Sequence, residues 1–377
     1  MSTLFRVAVV GAGIAERHLD AFRWLPREFQ VPVLCSLDDV RGQDLRSKYG
    51  INEFSTDFAS LLERKDIDII DLCTPPATHF ELTRRALQAG KHVICEKPLF
   101  GSLDEADRMA GIMQASGRVL MPIFQYRFGA GLQKLKRLMA AGLAGQAYMT
   151  TIETHWWRGP AYYQVPWRGK WATELGGGLL GHAIHAHDML SMIHGPIAEI
   201  YACGGALLND IEVEDNMALA LKMGNGSLAT LSLSLASRKE TSRLRFRFHD
   251  LTAESNTAPY TMHRDPWSFV AGSPEQQARV DEVLAAYQPA EDGYTRQFQL
   301  FHQSLVQGHE PPVTLADARI SLELVTAAYH AQRTGCAVAL PIGNEHPLYK
   351  SWAPANLPRS PSGGTAAAAA PNTASST

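Results

Sequence analysis

Lys91-His92-Val93-Ile94-Cys95-Glu96-Lys97-Pro98 is an apolar, strand-forming run that stops at a carboxylate, an amine and a ring. Proline has no N–H to give to a ladder and fixes φ, so sheet pairing ends there. In a parallel sheet, the carboxyl end of such a strand opens onto the crevice where these sheets take their ligands. A lysine delivered to that crevice acts as an acid–base or hydrogen-bonding group near neutral pH when burial lowers its pKa. A solvated Glu-Lys turn has the same spelling, since charged residues end strands in many proteins. The flanking segments decide between the two.

Near the start, Arg6-Val7-Ala8-Val9-Val10 reads as a buried strand that runs into Gly11-Ala12-Gly13-Ile14-Ala15, and residues 16–25 look helical. Strand, glycine turn and helix in that order are the setting of a dinucleotide fingerprint: glycines let the backbone approach a pyrophosphate, and the helix N-terminus favours its charge. In G-x-G-x-x-G register the last position falls on Glu16, whose side chain would crowd helix against strand. Ala15 is the nearest small residue, so the turn reads as one residue short. A second strand, about residues 31–35, ends at Ser36-Leu37-Asp38-Asp39, where an acidic residue usually holds the adenosine ribose 2′-OH. Ser36 stands in that place, with Asp38 two residues later and Arg41 nearby. A hydroxyl with an arginine favours a 2′-phosphate, whereas Asp38 suits a free ribose. The expected cofactor is NAD(P), leaning to NADP. Asp38 and Asp39 would equally cap the helix that follows.

Residues 67–73 form another β-rich run, closed by Thr74-Pro75-Pro76-Ala77-Thr78-His79, and a helix over 78–89 stops at Gly90. The Lys97 strand, a helix over 103–116 and a strand over 118–124 complete the alternation. This predicts an α/β fold, a doubly wound parallel Rossmann sheet over residues 1–125. The pattern then changes. Alternating residues appear in 147–153, 216–223, 227–236 and 243–249, with Gly224-Asn225-Gly226 as a hairpin turn, and 133–141, 294–307 and 315–333 look helical. Residues 126–355 are therefore expected to form an α+β substrate-binding and oligomerisation domain around a large, mainly antiparallel open sheet. Residues 356–377, rich in Ala, Pro, Ser and Thr, read as a disordered tail.

The 377 residues suffice for two cores. A formal charge of −3 gives no electrostatic reason to expect nucleic acid or an anionic membrane. No apolar run nears the roughly 20 residues that span a bilayer. No signal peptide is legible, and five scattered cysteines without a CxxC pair suit reduced thiols in a cytoplasmic protein and argue against structural zinc.

Taken together, Gly11-Ala12-Gly13, Thr74-Pro75-Pro76 with His79, Gly90-Lys91-His92-Val93 leading into Glu96-Lys97-Pro98, Arg127, Gly142, Gly145, Trp167-Arg168-Gly169-Lys170-Trp171, Gly176-Gly177-Gly178, His185 and Asp188 form a spaced set. In this the chain to about residue 350 resembles the Gfo/Idh/MocA oxidoreductases, the glucose–fructose oxidoreductase and inositol dehydrogenase type. The resemblance implies a nicotinamide domain, a sheet-rich substrate domain, and a homodimer or homotetramer built through the exposed face of that sheet. It further implies that Lys97 hydrogen-bonds the reacting oxygen and that Glu96 holds the strand end or meets the nicotinamide ribose.

Oxidising a secondary alcohol needs a proton acceptor as well as a hydride acceptor. His185 is the best acceptor in the second domain, because imidazole titrates near working pH. Asp188, three residues on, would orient it or hold the helix. Many sugar dehydrogenases of the family carry an aspartate four residues before this histidine; here Gly181 stands there, with His182 beside it to take over part of the role. A metal held by His182, His185 and His187 with Asp188 is not expected, since the chemistry needs none. The aromatic stretch 155–163, then Trp167-Arg168, is expected to form a loop over the cleft. In it Trp156 and Trp167 would meet the ring face of a sugar, cyclitol or polyol, and Arg158 and Arg168 its hydroxyls or a carboxylate. Gln125 and Arg127 point to the same crevice, Gln125 with Trp167 and Arg168 on the cofactor side and Arg127 with the substrate. The leading expectation is an NAD(P)-dependent oxidoreductase of a sugar or polyol hydroxyl. The rivals are a glycosidase of the same fold that uses NAD transiently, and an inactive dinucleotide-binding regulator.

Overall fold

The computed structural model describes residues 3–354; the tail expected from residue 356 lies outside them. Six strands, β1 (Phe5–Val10), β2 (Phe29–Cys35), β3 (Glu53–Ser55), β4 (Ile69–Leu72), β5 (His92–Cys95) and β6 (Leu120–Pro122), form a parallel sheet in the order β3-β2-β1-β4-β5-β6. Valine, isoleucine and leucine fill β1, β4 and β5 on both faces, as a sheet covered by helices on each side requires. The order reverses between β1 and β4. That switch point places the carboxyl ends of β1, β4 and β5 around one crevice.

The remaining strands are β7 (Ala147–Trp157), β8 (Ile197–Gly205), β9 (Asn216–Met223), β10 (Leu228–Ser234), β11 (Ala236–Phe248), β12 (Leu251–Glu254), β13 (Ser268–Ala271) and β14 (Val338–Ala339). They form a second sheet ordered β13-β12-β11-β7-β10-β9-β8-β14. It is antiparallel except where β10 runs parallel to β7. One face is buried by alternation, with Met217, Leu219, Leu221 and Met223 inside and Ala218, Ala220 and Lys222 exposed.

Two late helices return to the first sheet. Helix Gly293–Gln307 stacks Phe298 on Phe22 at 4.6 Å, and Gln297 bonds the N–H of Phe124 and the carbonyl of Pro122. Helix Leu315–Thr334 opens with a capping box between Thr314 and Asp317. Cys35, Cys73 and Cys95 are buried free thiols, and Cys203 and Cys336 are exposed. Among the described residues no helix is long and apolar enough to cross a membrane.

Candidate active site

Gly11 has φ +99°, and a Cβ there would lie 2.5 Å from the Cys73 carbonyl oxygen, so only glycine lets the ends of β1 and β4 run this close. Helix Ala15–Arg23 starts at a fully buried Ala15, while Glu16 is part-exposed in an ion pair with Lys48. The short turn is the one that forms, and Glu16 crowds nothing. Among the described residues no side chain caps this helix, which leaves its N-terminal dipole to an anion.

Arg41 donates from Nε to the Ala12 carbonyl at 2.7 Å and from Nη2 to that of Gly13 at 2.9 Å. Asp38 caps helix Asp39–Tyr49 through the Arg41 N–H, and Ser36 Oγ accepts from the Asp38 N–H at 3.1 Å. Ser36, Asp38 and Arg41 therefore brace one turn beside Gly13 and Ile14. A glycine turn, an uncapped helix start and an adjacent guanidinium together fit a dinucleotide pyrophosphate.

Buried His79 has its two ring nitrogens 2.8 Å from the carbonyls of Thr74 and Pro98, so it ties the loop Thr74-Pro75-Pro76 after β4 to the end of β5. Gln125, just past β6, is buried with Oε1 unpartnered, an acceptor that a ligand amide would satisfy.

Glu96 is held in a network that the sequence reading did not find. Its Oε1 accepts from His18 Nε2 at 3.0 Å and from the Tyr294 hydroxyl at 2.8 Å, while Oε2 accepts the Lys97 N–H at 2.9 Å. His18 Nδ1 lies 2.9 Å from both oxygens of Asp71. Burial opposes charge on His18, but Asp71 outweighs it and holds the ring well above the usual histidine range. A doubly protonated His18 thus bridges two buried carboxylates. Cys73 completes a cluster with His18 and Asp71 whose ligating atoms lie within 4.8 Å, but burial pushes its thiol up to about 12 and both His18 nitrogens are engaged. Glu96 accordingly fixes the strand end from which Lys97 projects.

Lys97 donates from Nζ to the Gly181 carbonyl at 3.0 Å, joining the first sheet to the segment before the histidine helix. Burial pushes the Lys97 amine below the usual lysine range, against the pull of Glu96. Gly176-Gly177-Gly178 leads to Gly181; a Cβ on Gly177 would lie 2.0 Å from the Glu214 carbonyl, so close approach dictates glycine there. His185, on helix Ile184–His194, is buried and stacks on Tyr126 at 4.2 Å, and Tyr126 stacks in turn on His263 at 3.9 Å. Burial and the Lys97 charge hold His185 well below its usual range, hence neutral. His182 sits between the short helix Gly178–Gly181 and this one, with Nε2 3.1 Å from the Tyr162 hydroxyl. It is kept neutral by burial and by the charges of Arg158, Lys97 and Arg168.

Arg168 lies over the rings of Tyr162 (3.8 Å) and Trp167 (4.4 Å), and burial lowers its guanidinium to about 10. Arg158 donates to the Tyr260 hydroxyl at 2.7 Å, and its buried Nε has no hydrogen-bond partner among the described residues. Lys97, His182, His185, Arg158, Arg168 and Trp167 therefore belong to one cleft.

Three expectations are corrected. Arg127 is not free to meet substrate: Nε and Nη2 grip Asp188 at 2.8 and 2.6 Å, and Nη1 reaches Asp317 at 3.0 Å. Asp188, so engaged, holds its helix, the second of its expected roles, and does not orient His185, whose ring rests on Tyr126 instead. Trp156 is no cleft-covering residue: residues 155–157 belong to β7, and Trp156 is 3% exposed with its indole N–H on Ser242 Oγ. Sequence reasoning also missed His18, Asp71, Glu174 and Tyr126. A histidine on the apolar stripe Ala15, Leu19, Phe22, and an aspartate inside an apolar strand, were the available signals for His18 and Asp71.

Comparison with known proteins places both parts of the chain in one family. The description "Oxidoreductase family, NAD-binding Rossmann fold" matches residues 5–124, and "GFO/IDH/MocA C-terminal domain" matches residues 132–250. The chain is 27% identical to a D-glucoside 3-dehydrogenase of Escherichia coli over 90% of this chain and 98% of that one. It is also 27% identical to a myo-inositol 2-dehydrogenase of Thermotoga maritima, over 86% and 95%. The crystal structure of the WlbA dehydrogenase of Bordetella pertussis, in complex with NADH and UDP-GlcNAcA, superposes with a TM-score of 0.80 at 25% identity, covering 90% of this chain and all of that one. The chain belongs to the Gfo/Idh/MocA family and is an NAD-binding oxidoreductase.

Proposed function

We propose that the chain transfers a hydride between a nicotinamide cofactor and a secondary hydroxyl or ketone of a sugar, cyclitol or related polyol, with Lys97 and His185 handling the proton. The observation that carries this is Lys97 itself: an amine at the carboxyl end of β5, pushed toward neutrality by burial, its Nζ on Gly181 three residues before the start of the histidine helix. The nicotinamide, when bound, takes up the hydride from the carbinol carbon. Lys97 accepts the hydroxyl hydrogen bond and takes the proton, and His185, neutral, offers a second acceptor beside it. Glu96 keeps Lys97 in place through His18 and Tyr294. The names of relatives, a glucoside, an inositol and a UDP-sugar acid among them, support a carbohydrate substrate. Arg41 beside Ser36 supports acceptance of NADP, and Asp38 supports NAD. The same reading has copies associating through the outer face of the second sheet, where Tyr201, Leu228 and Val270 stand exposed. A polyol panel with NAD and NADP in parallel tests the activity; release of glycone from an aryl glycoside without net NADH would favour the glycosidase instead.

A further inference from the structure

Glu174 is a carboxylate that the reaction as described leaves without a task. It sits on a turn whose next residue, Leu175, takes the left-handed conformation at φ +69°, costly for a branched side chain. The Trp352 indole donates to the Leu175 carbonyl and holds the turn. Glu174 is 6% exposed; Oε2 accepts the Gly169 N–H at 2.5 Å, and among the described residues no hydrogen bond reaches Oε1. That oxygen stands 3.7 Å from Arg168 Nη1 and 3.9 Å from the point where a Cβ on Gly181 would project. Gly181 is also the residue whose carbonyl receives Lys97 Nζ. A carboxylate oxygen without a hydrogen bond, a residue without a side chain and the lysine therefore converge.

We propose that Glu174 is the positioning residue for Lys97: its carboxylate, admitted by the bare backbone of Gly181, stabilises the ammonium formed when Lys97 takes the substrate's hydroxyl proton. The inference rests on the role of Lys97 in the proposed function. In the step, the O–H bond breaks and an N–H bond forms at Nζ, while the C–H electron pair leaves as hydride to the nicotinamide. The charged groups acting on Lys97 are Glu96 and Glu174, which favour its proton, and Arg168 and Arg158, which oppose it; His182 and His185 face it neutral. Burial raises the Glu174 carboxyl, and Lys97 and Arg168 draw it back.

The test reads Lys97 without substrate. In the full chain carrying 13C-labelled lysine, the Lys97 Cε resonance, identified by its loss in Lys97→Arg, is titrated by NMR. Glu174→Gln is expected to lower the Lys97 midpoint measurably, because the Glu174 charge favours the Lys97 proton. Adding Gly181→Asp to Glu174→Gln, which returns a carboxylate from the other backbone position, is expected to recover most of that shift. Where a polyol is turned over, Glu174→Gln should lower kcat about tenfold with KM little changed and displace the pH profile of kcat, and the double variant should recover both. Glu174→Asp, should the glutamine variant not fold, is expected to shift the midpoint in the same direction by less. An unmoved Lys97 midpoint in a folded Glu174 variant overturns the proposal. If that happens while Lys97→Ala abolishes polyol oxidation, the role of Lys97 stands and that of Glu174 falls. If the midpoint moves but no polyol is turned over, the coupling stands and the proposed function fails.

Discussion

At the scale of single residues, Lys97 faces the cleft while Arg127 and Asp188 hold the elements that frame it. Lys97→Ala is expected to lower turnover by about two to four orders of magnitude, the usual worth of a positioned acid–base group, with an unchanged circular dichroism spectrum. Near-normal kcat would remove Lys97 from the chemistry. Arg127→Ala should behave in the opposite way. It leaves Asp188 buried and unpaired, so stability should fall by about 3–5 kcal/mol in urea titration. A variant with native stability and a raised KM would return Arg127 to the substrate. Lys97 was legible because the strand ending in Glu96-Lys97-Pro98 stands within a strand–helix alternation and within the spaced set of family residues around it. Arg127 and Asp188 were misread because the sequence shows two charges near a cleft but not that residues 61 positions apart come face to face.

At the scale of elements, the network Asp71–His18–Glu96–Tyr294 links the first helix, β4, the end of β5 and helix Gly293–Gln307. The His18 pKa is raised in the folded chain, so its contribution to stability is complete below the unfolded value and is lost as pH rises through the folded one. Glu96, lowered by His18, contributes above its unfolded value and loses that contribution as pH falls. The melting temperature should therefore hold through neutral pH and decline on the alkaline side as His18 deprotonates. His18→Gln should melt lower at neutral pH and lack that alkaline decline; a parallel pH curve would contradict the bridge. The strand–turn–helix beginning at Arg6 could be read because local pattern dictates it. The partners of His18 could not, since Tyr294 arrives from a helix 276 positions later in sequence. Short edge strands such as β3, β13 and β14 were missed because two to four residues carry too little periodicity to register.

At the scale of the whole molecule, both sheets were legible, since the shift from buried apolar runs to strict alternation is a composition signal. The parallel pairing of β10 with β7 was not, because register between distant strands is set by packing. The exposed Tyr201 and Leu228 lie on the solvent face of the second sheet, through the pairings of Tyr201 with Ala220 and Leu228 with Lys222. If that face joins copies, Tyr201→Glu with Leu228→Glu should lower the mass seen by light scattering while leaving far-UV circular dichroism unchanged; an unaltered mass would place the contact elsewhere. The central claim is hydride transfer between a nicotinamide cofactor and a polyol, with Lys97 handling the proton. Its most direct measurement is nicotinamide absorbance over a panel of sugars and cyclitols, with NAD and NADP, for the native chain and Lys97→Ala side by side. The account predicts reduced cofactor with at least one polyol and its loss in the variant. Tight cofactor binding with no absorbance change across the panel would contradict it and leave a dinucleotide-binding regulator.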